Sequence, residues 1–178
     1  MIPPRDIQSA EQKVLIDIAQ LLGTVRDLSS AATSLEDGAS RVRHIRSTVY
    51  ENLNQIQHEY LIVRALGWLR ANGFDDSSLN WSWNPRQTGD SAEPDLRASS
   101  DSGIVVSAEA TTSENPMGVI DSRMRDTLTK LSGMPGKKYY FVLTPAMAAR
   151  AETKVARNGW QITVVQIDAG TAGGLTSK

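Results

Sequence analysis

An apolar residue recurs at alternating steps of four and three from Val14 through Ile18, Leu21, Val25, Leu28, Ala32 and Leu35. The same register continues through Ala39, Val42, Val49, Leu53, Ile56, Tyr60 and Val63, broken at Arg46. Such spacing keeps one helix face apolar over many turns, and it reads as a coiled coil or a long helical hairpin. Gly38, after Glu36 and Asp37, is the natural place for a bend. A second helix is expected from about Arg43 to Asn72, stopping at Gly73. The stripe is long and the rest of the chain is small. Self-association through the helices between about Val14 and Val63 is therefore expected ahead of simple packing onto their own domain.

After Gly73 the period changes to short alternating runs. Leu79 to Trp83 puts Trp81 and Trp83 on one face, where they read as core. Pro94 to Ser99 and Ile104 to Ala110 are two further strands, with Asp101-Ser102-Gly103 turning between them. A helix follows from Met117 to Leu131, a buried strand from Lys138 to Leu143, a helix from Pro145 to Arg157, and a last strand from Trp160 to Ile167. Three strands in an antiparallel meander, extended by crossover units, give an α/β fold: a mixed sheet with helices on both faces. The expected division is an N-terminal helical arm over 1–42, an α/β domain over 43–168, and a flexible Gly/Ser/Thr-rich tail over 169–178.

The 178 residues suffice for one domain with a real core. The absence of cysteine excludes disulfides and thiolate metal sites and fits a reducing, cytoplasmic setting. Two histidines make a His-rich zinc site an unlikely design. The N-terminal residues lack the pattern of a signal peptide, and no apolar run approaches membrane-spanning length. A net charge of −1 argues against strong nonspecific affinity for nucleic acid, while leaving room for a local basic face.

The chemistry-bearing stretch runs from Gly89 to Thr111. Pro94-Asp95 opens one strand, and Glu109 interrupts the apolar run Val105-Val106-Ser107-Ala108 in the next. A carboxylate inside an apolar strand needs partners. Two acids on neighbouring strands can converge on a hard divalent cation. The alternative for Asp95 is that it does no more than start its strand or form an Asx turn, with Glu93 as the exposed partner of Arg97.

The order of elements, the helix ending in Asn72-Gly73-Phe74, Pro94-Asp95-Leu96-Arg97-Ala98 and Val105-Val106-Ser107-Ala108-Glu109 resemble the PD-(D/E)xK nuclease superfamily. The likeness covers roughly Gln57 to Ile167, and is nearest to restriction-endonuclease-like and Holliday-junction-resolvase-like members. It implies a restriction-endonuclease-like sheet. It also implies Asp95, Glu109 and the Ala110 carbonyl as ligands to Mg²⁺ or Mn²⁺, with Glu59 as a further acidic candidate from the preceding helix. Thr111 stands where that family places a lysine, so it is the candidate water-orienting group, helped by a cation from Arg97, Arg123, Arg125 or Lys138. Arg97, Arg123, Arg125, Lys130 and Lys138 are the candidates for holding a nucleic-acid backbone.

The function implied by this resemblance is divalent-metal-dependent endonucleolytic hydrolysis of DNA, duplex or branched, by a homodimer joined through the N-terminal helices. The alternative is a catalytically degenerate module of the same fold that binds DNA or protein. No Gly-rich phosphate loop lies between a strand and a helix, and no Gly-x-Ser-x-Gly nucleophile motif is present.

Overall fold

The structure, a computed structural model, describes residues 7–29, 32–74, 77–84 and 92–167. The expected tail over 169–178, and the glycine of the loop before Pro94, lie outside the described residues.

Helix α1 spans Ile7–Leu28. Helix α2, Leu35–His44, passes through a π-helical stretch, Ile45–Val49, into α3, Tyr50–Leu69. The break in the helices falls before Leu35, not at Gly38, which lies inside α2. The reason is a cap. The Ser34 hydroxyl accepts from the Asp37 N–H, and Glu36 and Asp37 sit in the first turn, where the helix dipole favours negative charge. Hydrogen bonds from Arg41 and Thr33 hold the Asp37 carboxyl down to about 2. The expected boundary at 42/43 therefore falls within continuous helix. After α3 a π-helical turn, Arg70–Phe74, loses helical geometry at Asn72 and Gly73. Gly73 has φ 97°, which favours glycine, so the helix stops where the sequence marks it.

Five strands follow: β1 Asn80–Trp83, β2 Leu96–Ser100, β3 Gly103–Thr111, β4 Lys137–Val142 and β5 Ile162–Gln166. They lie side by side in chain order. The first three pair antiparallel, and β3, β4 and β5 pair parallel through the crossover helices α4, Val119–Ser132, and α5, Pro145–Asn158. The expected mixed α/β sheet is thus observed. Helix α5 starts on a Thr144 cap with Pro145 at its first turn and ends on Gly159 in the left-handed region.

The period-2 alternation of the strands sorts the core into two layers. Ile62, Ala65 and Leu69 of α3 pack with Trp81, Trp83, Ala98, Val106, Ala108 and Phe141. On the other face Met124, Leu128 and Leu131 of α4 and Met147 and Ala151 of α5 pack with Tyr140 and Val142. Trp81 and Trp83 are core residues, as their alternation indicates.

The heptad stripe is used within the chain. Val14, Ile18 and Leu21 of α1 pack with Ile45, Val49, Ile56 and Val63. Lys13 meets Glu59, and Leu21 lies beside Asn52 and Ile56, so α1 runs antiparallel to α3 as a hairpin. Part of the surface expected to join two copies is therefore buried inside one, while Val25, Leu35, Val42, Leu53 and Tyr60 of the same stripe stay exposed. Among the described residues no helix is long and apolar enough to cross a membrane.

Candidate functional site

Asp95, Glu109, Ala110, Thr111 and Arg123 line one cleft of about 610 Å³ together with His58, Asp126, Thr127 and Tyr140. The floor is the junction of β2 and β3. Leu96 pairs with Ala108, which sets Asp95 against the last residues of β3. The Ala110 N–H donates to Asp95 Oδ2 at 2.8 Å, fixing the carboxylate. Glu109 alternates with Ala108 and Ala110, so it faces α4 while they face α3.

Asp95 and Glu109 are both buried, 3% and 2% exposed. Burial, then the charge of Asp95, push the Glu109 carboxyl up to about 8, against the pull of Lys130. Lys130 of α4 is the cation that reaches the site. Its Nζ lies 2.5 Å from Glu109 Oε1. The approach is poorly directed, and Oε1 is left buried without a well-formed hydrogen bond. Two buried carboxyl groups on adjacent strands, one with an oxygen short of a directed donor, form a donor set suited to a cation. Among the described residues no three acidic or imidazole side chains are gathered to cage an ion on their own.

His58 comes from α3, one residue before Glu59. Its Nε2 lies 3.2 Å from Asp95 Oδ2 and 3.3 Å from the Ala110 carbonyl oxygen, touching two of the groups the resemblance assigns to metal. A sequence signal existed. His58 is spaced four, seven and eleven residues before Ile62, Ala65 and Leu69, the face of α3 that covers the sheet. Glu59 turns away. It is fully buried against α1, where Lys13 Nζ lies 2.5 Å from Oε2 and the Gln55 amide donates to Oε1 at 2.9 Å, and it does not line the cleft.

Thr111 lies at the cleft on the strand face of Glu109, as does Tyr140, whose phenol burial pushes up, so the phenol stays neutral. The other candidate cations lie elsewhere. Arg97 pairs with Glu93 at 2.6 Å, as the spacing of four suggests. Arg125 lies 3.5 Å from Asp126 on the exposed side of α4. Lys138 Nζ reaches the Gly136 carbonyl at 3.5 Å. Of the basic candidates, Arg123 lines the cleft and Lys130 touches its carboxylate. Comparison with protein-family models, curated proteins and solved structures finds no match to this chain.

Proposed function

We propose that the chain is a Mg²⁺-dependent endonuclease of the restriction or resolvase type, acting on DNA phosphodiester bonds at the cleft of Asp95 and Glu109. The observation that carries this reading is Lys130 Nζ, 2.5 Å from Glu109. It supplies, from a helix, the positive charge that Thr111 lacks. The ligand set would be Asp95, Glu109 and the Ala110 carbonyl, completed by water. Few protein oxygens and several waters suit Mg²⁺ better than a cation needing a full protein cage. His58 is placed to orient Asp95 and the Ala110 carbonyl.

Bound there, the ion supplies charge neutralisation and a more acidic water. The residues of the chain do the rest. Asp95 is held in place by the Ala110 N–H. Lys130 places an ammonium beside the reacting phosphate, where negative charge develops. Thr111, at the cleft, offers one hydroxyl for orienting water. Arg123, at the cleft wall, is positioned for a neighbouring phosphate.

The test is nicking of supercoiled plasmid and of a four-way junction with Mg²⁺, Mn²⁺ or EDTA. Asp95→Asn, Glu109→Gln and Lys130→Met should each lower the rate by about 10²-fold or more, with circular dichroism unchanged. Cleavage that survives EDTA or Asp95→Asn would place the chemistry elsewhere. Mn²⁺ or DNA binding without cleavage on any substrate would favour the second reading, a degenerate binding module. Thr111 in place of a lysine and the net charge of −1 are the observations on that side.

A further inference from the structure

The hairpin leaves an apolar ribbon unburied, made of exposed members of the heptad stripe and their neighbours on α1. Leu15 and Leu22 of α1 are 66% and 60% exposed and lie seven residues apart. Leu53 and Tyr60 of α3 are 42% and 40% exposed and are also seven apart. At about 100° per residue, Leu15 and Leu22 lie about 100° onward from Val14 and Leu21, which face α3. Leu53 and Tyr60 lie about 50° onward from Ile56, which faces α1. The helices run antiparallel, so equal senses of rotation bring both stripes to the same side of the hairpin. The pairing of Lys13 with Glu59, and of Leu21 with Asn52 and Ile56, sets Leu15 level with Tyr60 and Leu22 level with Leu53. Val25 and Tyr50 extend this ribbon, exposed by 38% and 67%.

We propose that a second copy of this chain covers this ribbon, hairpin against hairpin, as a four-helix assembly. Periodicity and area favour a second copy as the cover. A straight ribbon with heptad spacing on both helices is the shape that another pair of helices packs against. Six such side chains, about half exposed, present on the order of 300–600 Å² of apolar surface at about 50–100 Å² each. With the usual apolar share of an interface, roughly 57%, this corresponds to about 500–1,000 Å² per copy. A stable pair of standard size needs about 800 Å² per partner. Helix α2 points the same way: none of its residues is buried, and Leu35 and Val42, seven apart, are 89% and 66% exposed. The inference does not depend on the chemistry of the cleft, which lies among other residues.

The test is sedimentation velocity and light scattering on the full chain from about 5 to 100 µM. The wild type should be a dimer. Leu15→Asp with Leu22→Asp, and separately Leu53→Lys with Tyr60→Lys, should shift it to monomer by at least about tenfold in dissociation constant, with helix content by circular dichroism retained. Should the first pair unfold the chain, the milder Leu15→Ser with Leu22→Ser provides the same reading. A wild type that stays monomeric throughout overturns the proposal. So does a dimer that survives both folded double variants, because the contact then lies on another face.

Discussion

Lys13 and Glu59 allow a sharp test of whether α1 is part of the folded unit. Glu59 is fully buried, Lys13 is partly exposed, and the two meet at 2.5 Å across the hairpin. Lys13→Met leaves a carboxylate in the interior with only the Gln55 amide as donor. Removing one partner of a buried pair costs about 3–5 kcal/mol. Glu59→Gln leaves Lys13 still paired with Asp17 at 2.6 Å in a partly exposed position, so its cost should be near 1 kcal/mol. The double variant removes the stranded charge and should return to within about 1–2 kcal/mol of wild type. The expected order is thus asymmetric, with a coupling of about 2–5 kcal/mol. For a chain of this size Lys13→Met should lower Tm by roughly 10 °C. Urea unfolding followed by circular dichroism, with m held constant, measures all four corners of the cycle. Equal small costs for both single variants, with no coupling, would show that α1 does not dock on α3 and would refute the hairpin.

Other consequences are equally specific. Asp121 accepts from Arg150 and Lys154, which hold its carboxyl well below the usual 3.8 and tie α4 to α5. Its stabilisation is present above about pH 4 and is lost as pH falls through the depressed value. The stability gap between wild type and Asp121→Asn should therefore be constant from pH 5 to 7 and shrink below pH 4, as urea titrations at each pH would report. Gly136 has φ 79°, and a Cβ there would meet the Val105 carbonyl carbon and oxygen at 2.7 Å. Gly136→Ala should cost at least about 2 kcal/mol by thermal or urea unfolding, and a neutral result would contradict the turn. If Lys130 supplies the charge of the cleft, Thr111→Lys, on the same strand face as Glu109, should restore cleavage to Lys130→Met in the nicking assay, while Thr111→Val added to Lys130→Met should not.

Much of the α/β half was readable because strand alternation carries its own face assignment. Glu109 is buried because its neighbours in β3 alternate between the two layers, and Trp81 and Trp83 are core for the same reason. The helical half was less readable. A heptad stripe states that a helix face is covered, but not whether the cover is the same chain. Val14 and Leu21 meet Val49 and Ile56 in cis, and the pattern would be identical in trans. The helix break was marked by Ser34 three residues before Asp37, a capping signal that outweighed Gly38. Lys130 was the hardest to place. A basic residue on an amphipathic helix looks like part of a solvated face, and only the packing of Met124, Leu128 and Leu131 against the sheet turns it toward Glu109.

The cleft draws one group from each of four places: His58 on α3, Asp95 ahead of β2, Glu109 on β3 and Lys130 on α4. The β2–β3 hairpin brings Asp95 and Glu109 together, but His58 and Lys130 reach them only through long-range packing. A growing chain that has emerged only as far as β3 holds both carboxylates without the ammonium that balances them. The site is consequently among the last features to assemble, and long-range closure of this kind is slow compared with formation of the helices. The four groups therefore come together only once α4 has packed against the sheet.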